Sequence, residues 1–452
     1  MSKILLMIAT SSLAMAAAPG HAQAITTDEA LAMRAQIEAL RAQVTALEAR
    51  LNAAVPVAVA PVAPPPPPVI VPASGMITPA SFPIAPLPAA LELRTAGGAT
   101  LRPRGRFQLD VGAINAPDAI NDAGLGTSAE IRRVYLGFDG TIPGGFGYRI
   151  EADFADNAVT LTDAYITYAS GPVTFTVGQH KPFQGLEEIT SDLFTSFNER
   201  ASFAGAFGFE RRVGASAVYA RGSIIVQAGL FADDVSALAN ASNNSWSADG
   251  RIIFAPRIGT TQLHFGASAH SRTFNDASTT ARYRARPFVH TTDTRLVDTG
   301  AFAATGETIV GLEAAAIHGR FHIAAESQWL TARRAGSADP GFNGGYAEAG
   351  LFLTNDSRSW RRGVFDRVAP RNAVGAVEIN LRYDWLDLRD AAAAITGGEQ
   401  AIYAAGLTWI LRDNVRVLAS YGHVVVNGAR VAAGLDRDYS ADAVALRAQV
   451  DF

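Results

Sequence analysis

The sequence predicts an all-β protein: a 16-stranded antiparallel transmembrane β-barrel, preceded by a short α-helical coiled coil and a Pro-rich linker. Three observations predict it. The chain ends on an alternating segment closed by an aromatic residue, and no stretch approaches the roughly 20 continuous apolar residues that a spanning helix needs. Residues 101–452 also break into short two-faced segments separated by turn residues. In the final segment Val444, Leu446, Ala448, Val450 and Phe452 share one face, while Ala445, Arg447, Gln449 and Asp451 share the other, because successive side chains of a strand point oppositely. In a soluble sandwich the apolar face would meet a second sheet. In a membrane barrel it meets lipid, and the polar face lines a wet lumen. A Phe at the very end of such a strand resembles the C-terminal signal by which bacterial outer-membrane proteins are recognised for insertion.

The elements before the barrel agree on the compartment. Residues 1–24 carry Lys3, an apolar stretch over Ile4–Ala18 and a small-residue Ala22-Gln23-Ala24 site, the pattern of a secretory signal. Residues 25–54 are predicted as a coiled-coil helix. Thr27 is placed as N-cap with Asp28 and Glu29 in the first turn, and Ala30, Met33, Ile37, Leu40, Val44, Leu47 and Leu51 recur at spacings of three and four. A lone amphipathic helix lying on another surface is the alternative reading of that stripe. Residues 55–100 form a Pro/Ala-rich linker with Pro64–Pro68 consecutive, an extended spacer. The expected location is the outer membrane of a Gram-negative bacterium, with the coil in the periplasm. Zero cysteines exclude a disulfide framework and thiolate metal sites. A net charge of −4 gives no global mark of a nucleic-acid partner.

Candidate strands lie near 101–113, 130–140, 146–156, 160–169, 172–180, 211–220, 222–233, 247–255, 260–270, 308–317, 319–331, 343–353, 374–386, 401–411, 414–425 and 442–452. In 146–154, Arg149, Glu151 and Asp153 share the face opposite Phe146, Tyr148, Ile150 and Phe154. In 377–385, Glu378, Asn380, Arg382 and Asp384 oppose Tyr383 and Trp385, which fit an aromatic girdle. If the first strand leaves the periplasm, the even-to-odd connections should be short, as Ser170-Gly171, His318-Gly319 and Asp413-Asn414 are. The odd-to-even ones run longer, notably 181–210 and 271–307; 354–373 is the exception, long yet on the periplasmic side. A closed barrel has no free edges and needs no other core, and one of this strand number leaves an aqueous channel. The reading is a porin.

The ordered segments of 101–452 resemble the phosphate-selective porin O and P family. They are 104–110 (Arg-Gly-Arg-Phe-Gln-Leu-Asp), 131–137 through 151–155, 163–165, 178–183, Asn198-Glu199-Arg200, 282–287, 375–378 with Arg382-Tyr383, and 407–409. The resemblance implies a homotrimer of channels, a third external loop folded inward to narrow each pore, and an arginine-lined route for oxyanions. In the phosphate-specific members a constriction lysine stands seven residues before the Arg of the Glu-Arg pair. Here that position is Leu193, beside Asp192. A pore that strips water from phosphate needs a fixed cation there, so high-affinity phosphate selectivity is not expected.

Lysine occurs only at positions 3 and 181. Lys181, where the fifth strand enters the constriction loop, is therefore either a pore-mouth cation or a chance survivor of an Arg-biased composition. Residues 181–212 hold four basic residues (Lys181, Arg200, Arg211, Arg212) against five acidic ones. Arg282, Arg284 and Arg286, spaced by two, would lie on one side of an extended segment, with His290 and Arg295 beyond them. Guanidinium forks bind oxyanions bidentately and could pass an anion from site to site; a solvated loop, or one docking lipopolysaccharide phosphates, is the alternative. Arg104, Arg106, Arg133, Arg149, Arg382 and Arg447 are expected to face the lumen opposite Asp110, Glu151, Asp153, Glu378, Asp384 and Asp451. The anion pathway is thus placed on Lys181, Arg282, Arg284, Arg286, Arg295, Arg106, Arg133 and Arg149. The eight His residues show no metal-ligand spacing, and no Gly-rich phosphate loop or nucleophile elbow occurs, so neither enzymatic chemistry nor a cofactor is expected. The expected function is passive diffusion of small anions, phosphate or related oxyanions with weak specificity. Two alternatives stand: a general porin for small polar solutes such as sugars, and an envelope-tethering protein whose coil grips peptidoglycan. Lipid and lipopolysaccharide complete the expected partners.

Overall fold

The computed structural model describes residues 92–452 apart from 121, 123, 156–157, 209–210, 241 and 276–279. The secretory signal, the coil and the linker up to residue 91 lie outside the described residues. Sixteen wall strands form one antiparallel barrel: β1 (Thr100–Asn115), β2 (Gly126–Ile142), β3 (Phe146–Asp153), β4 (Thr160–Ser170), β5 (Val173–His180), β6 (Arg212–Arg221), β7 (Ile224–Phe231), β8 (Trp246–Phe254), β9 (Thr261–Thr273), β10 (Gly306–His318), β11 (Phe321–Arg333), β12 (Gly341–Phe352), β13 (Ala376–Asp390), β14 (Ile395–Arg412), β15 (Val415–Asn427) and β16 (Tyr439–Asp451). Each pairs with the next, and β1 closes on β16 with Arg106 opposite Asp451 and Leu109 opposite Ala448. All the strands read from the sequence are present, each longer or shorter by a few residues. The terminal Phe452 extends the seam: its N–H donates to Gly105 O at 3.0 Å, and its carbonyl accepts from Gly105 N at 3.1 Å. Closure leaves no edge strand unpaired, which a lipid environment requires.

Period-2 patterning decides the faces. Phe107, Leu136, Ile150, Phe175, Ile252, Leu312, Leu381 and Leu446 point outward and are exposed, while Gln108, Glu151, Arg251, Glu313, Arg382 and Arg447 point inward and are buried. Tyr383 faces outward with its ring 5.7 Å from Trp385 and 5.2 Å from Tyr403. Short turns close on glycine in the left-handed region: Gly171, Gly222 and Gly319 have φ of 58°, 60° and 56°.

The lumen is not empty. Three connections fold into it: the described parts of 181–211 and 274–305, and 353–375. The first carries α1 (Leu186–Ile189) and α2 (Ser202–Ala206). Leu186, Phe197, Phe203 and Phe207 from that connection, with Tyr283, Leu296 and Val297 from the next, form an apolar cluster with Ile309, Leu330, Phe342, Tyr346, Leu386, Ile402 and Val424 of the wall. The expectation that the barrel needs no internal core is thereby corrected. Inward positions near one end of β10–β15 are apolar because loops dock there. Wall glycines make room: a Cβ at Gly406 would lie 3.0 Å from the Phe197 ring, one at Gly344 2.7 Å from Phe203, and one at Gly422 2.8 Å from Phe288. The exceptional connection 353–375 is also explained. Its hairpin, Ser359–Arg361 paired with Val364–Asp366, turns into the barrel. There Trp360 Nε1 donates to His264 Nδ1 at 3.1 Å and Arg251 Nη2 donates to Gly363 O at 2.9 Å.

Candidate ion pathway

The connection 181–211 is held across the lumen by its charges. Asp192 accepts from Arg106 and lies 3.1 Å from Arg133. Glu199 accepts from Arg132 at 3.0 Å and from Arg447 at 2.8 Å. Glu187 meets Arg382 at 3.1 Å, and Asp384 accepts from Ser202 N at 2.8 Å. Burial favours the neutral acids, but Arg106 and Arg133 hold Asp192 well below the usual carboxylate range, and Arg132 and Arg447 do the same for Glu199. Each of these two loop carboxylates therefore pins the connection to two wall guanidiniums. Arg416 donates to the carbonyls of Leu193 and Thr195, and Arg358 to that of Phe194. The position the family reserves for its constriction lysine thus presents a buried leucine whose carbonyl is engaged, next to an acid.

Arg132 and Arg133 both reach the lumen because of a register shift. Gln108 pairs with Arg133 and Leu109 with Ile131, leaving Arg132 as the extra residue of a bulge. Strict alternation places only Arg133 inside, and nothing in the sequence marks the bulge. Arg200 was also outside the predicted pathway. It ties the connection to itself through Glu187 O at 2.9 Å and Thr190 O at 2.8 Å.

These groups meet in a cavity of about 400 Å³ lined by Arg132, Arg133, Arg200, Arg284, Arg286 and Arg295, with His290 and the carboxylates of Glu188, Glu199 and Asp384. Arg286 donates to Thr292 O at 2.7 Å and to Asp293 at 2.9 Å. Arg295 donates to Asp293 O at 2.6 Å. The Arg284 side chain has no hydrogen bond or ion pair among the described residues. Burial, followed by the charges of Arg286 and Arg284, holds the Arg295 guanidinium down to about 10. The cations of this cavity repel one another, and an anion entering it would relieve that repulsion.

The remaining sequence candidates fall elsewhere. Arg282 lies on the same side of the 281–286 segment as Arg284 and Arg286, but it forks onto Asp298 at 2.9 and 3.1 Å and lines a different cavity. Lys181 donates to Glu188 Oε1 at 2.5 Å and to Glu188 O at 2.8 Å. Burial, then Arg200, pushes its ammonium down to about 8 against the pull of Glu188. Arg106 and Arg133 are engaged by Asp192, and Arg149 stands 3.5 Å from both Asp139 and Asp163. Arg104 bridges Asp139 and Glu151 at 2.9 Å each.

A closed barrel with an apolar outer belt, a charged lumen and loops that narrow it defines an outer-membrane channel. Residues 102–452 match the model of the family described as phosphate-selective porin O and P, and the chain belongs to that family. An uncharacterized protein of Caulobacter vibrioides is 45% identical over 374 residues, covering 79% of this chain and 75% of its own length. Among solved structures, in-vitro folded OmpT, an outer membrane protein of Vibrio cholerae, superposes with a TM-score of 0.52 at 12% identity, over 80% of this chain and 100% of that one. An anion-selective porin from Comamonas acidovorans gives 0.50 at 12% identity, over 78% of this chain and 100% of that one. At such identities these likenesses concern the fold.

Proposed function

We propose that the protein is a trimeric channel for passive diffusion of small anions, with weak specificity for phosphate or related oxyanions. The observation that carries the reading is the arginine cavity: six guanidiniums face three carboxylates, and Arg284 is uncommitted. The anion selectivity of the Comamonas porin and the family's phosphate selectivity point the same way. Weak specificity is supported by the inward loop, where Leu193 stands at the position of the family's lysine and the neighbouring Asp192 engages Arg106 and Arg133. A trimeric form is among the Vibrio neighbours, and trimerisation through the coil at 25–54 fits its a/d stripe. The outward face would contact lipid and lipopolysaccharide, and the coil peptidoglycan.

Reversal potentials in planar bilayers across a KCl gradient test the reading. The wild type should prefer chloride, and Arg284, Arg286 and Arg295 replaced together by Ala should lose most of that preference, more so at low salt, where screening is weak. Cation preference in the wild type refutes the anion reading, and absence of conductance favours the tether. A second reading has one observation behind it. A cavity of about 500 Å³ brings Phe207, Phe274 and Tyr283 together with Asn240, Asn243, Asp233 and Arg272, a lining suited to small polar solutes such as sugars.

A further inference from the structure

The arginine cavity also contains a carboxylate that repels the anions it is proposed to admit. Most of its other charges are already matched. Arg132 faces Glu199 at 3.0 Å, and Arg133 faces Asp192 at 3.1 Å. Arg200 lies 3.5 Å from Glu188, which also takes Lys181. Arg286 and Arg295 share Asp293, and His290 stands 2.8 Å from Glu130. Two side chains of the lining are left over, one of each sign. Arg284 is exposed, with no side-chain hydrogen bond or ion pair among the described residues. Asp384 of β13 is buried, with no ion pair among the described residues. Its Oδ2 accepts from Ser202 N at 2.8 Å and from Ser202 Oγ at 3.0 Å, but Oδ1 has no hydrogen-bond partner among them. Its strand neighbour Arg382 is committed to Glu348 at 2.6 Å and Glu187 at 3.1 Å. Gln400 of β14 also reaches Ser202, donating Nε2 to the hydroxyl at 2.9 Å, and its buried Oε1 is likewise unpartnered. A buried acceptor without a donor is costly, and a carboxylate without a cation more so.

We infer that this cavity binds a small zwitterion, an α-amino acid, with its carboxylate on Arg284 and its ammonium on Asp384, a role that rests on the reading of the cavity as part of the solute route. The guanidinium fork matches the paired oxygens of the carboxylate. The ammonium supplies three donors, one of which answers Asp384 Oδ1. An inorganic anion satisfies Arg284 alone and is repelled by Asp384. A zwitterion satisfies both and leaves the net charge of the lumen unchanged. Both side chains line one cavity of about 400 Å³, so the two charged groups of the ligand must lie close together, as they do on a single carbon. A small side chain on that carbon would rest against Phe288, Val289 and Ile402, which form the apolar part of the lining.

The test compares three blockers of chloride current through the full-length protein in planar bilayers, at low salt and neutral pH. They are L-alanine, propionate, which lacks the ammonium, and ethylammonium, which lacks the carboxylate. L-Alanine should half-block at a concentration at least about tenfold below that of either partial analogue. Asp384→Asn keeps an oxygen for Ser202 but presents an amide N–H to the ammonium, and should abolish the advantage of alanine over propionate. Arg284→Gln, at a side chain with no partner to lose, should weaken alanine and propionate alike. An alanine half-block no lower than that of propionate in the wild type overturns the inference, whether or not Asp384→Asn folds. An advantage that survives in folded Asp384→Asn overturns it as well. The channel reading fails separately, by absence of conductance or by cation preference. The site is then read in detergent micelles, where L-alanine and not propionate should raise the melting temperature of the wild type and leave that of Asp384→Asn unmoved. Absence of that rise refutes the zwitterion site.

Discussion

Replacing Asp192 by Asn should convert a weakly selective pore into one that binds phosphate. In the folded chain this carboxylate engages Arg106 and Arg133, both nearly inaccessible to solvent. Its loss frees two guanidiniums of the wall from their carboxylate partner on the inward connection while preserving side-chain volume. A unit charge about 4 Å from another is worth roughly 4 kcal/mol at an effective dielectric of ~20. Water and salt in the lumen reduce that figure, so a gain of at least ~1.4 kcal/mol, or tenfold, is a conservative expectation. The assay is the phosphate concentration that half-blocks chloride conductance in planar bilayers, which should fall at least tenfold in Asp192→Asn. Stability should move the other way. A carboxylate whose folded pKa is depressed stabilises the protein at all pH above its unfolded value, and breaking the cluster should cost about 2 kcal/mol, discounted from a fully buried pair because the lumen is wet. Melting should drop accordingly from pH 5 to pH 8 and be largely restored by phosphate. An unchanged half-block in a folded, conducting variant would show that permeating anions do not pass Asp192.

The docked aromatics give a separate handle. Gly406→Val and Gly422→Val should push Phe197 and Phe288 off the wall and raise single-channel conductance, whereas Gly171→Ala, in a turn distant from the loops, should leave it unchanged. Arg358→Ala should release the inward hairpin by freeing Glu378 and Phe194 O, seen as new protease cleavage within 353–375. Lys181 should lose its proton near pH 8, so the anion preference of the wild type should decline between pH 7 and 9 while Lys181→Met shows a flat profile. Since its folded value lies below the unfolded one, near 10.4, the unfolded chain binds more protons between them and stability should rise with pH across 8–10.5 in the wild type only. Deleting residues 25–90 should leave conducting trimers of lower melting temperature; complete loss of assembly would refute the subsidiary role of the coil.

The barrel was legible because its signal repeats. Alternation in 146–154 and 377–385, and the Gly-bearing turns at 171, 222 and 319, each fix one hairpin, and the register then follows from which face meets lipid. What the lumen holds was less legible. Arg132 enters through a bulge, which breaks period 2 without any composition cue. The destination of 353–375 could not be read, because an inward hairpin and a solvated one of the same sequence differ only in contacts with Arg251, His264 and Glu378 far away in the chain. One signal was present and unused. In β13 and β15 the inward positions toward one end become apolar, as at Leu386 and Leu388 or Val424 and Val426, which is what a wall with loops docked on its inner face requires.

The charges of this pore divide into those that hold the protein together and those left for the solute. Arg106, Arg133, Arg382 and Arg447 point into the lumen, as alternation predicts, yet each is committed to a carboxylate of the inward loop or the wall. A guanidinium shared by two carboxylates presents little field to a passing ion. Arg284 is different, because its backbone sits in a two-residue strand, paired with Asp298, while its side chain reaches the cavity without a partner. Selectivity should therefore respond far more to Arg284 than to the buried wall cations, and stability far more to the wall cations than to Arg284. Single variants at Arg284 and Arg447, compared by reversal potential and by melting, decide this. If Arg447→Ala shifts selectivity while melting unchanged, the division does not hold.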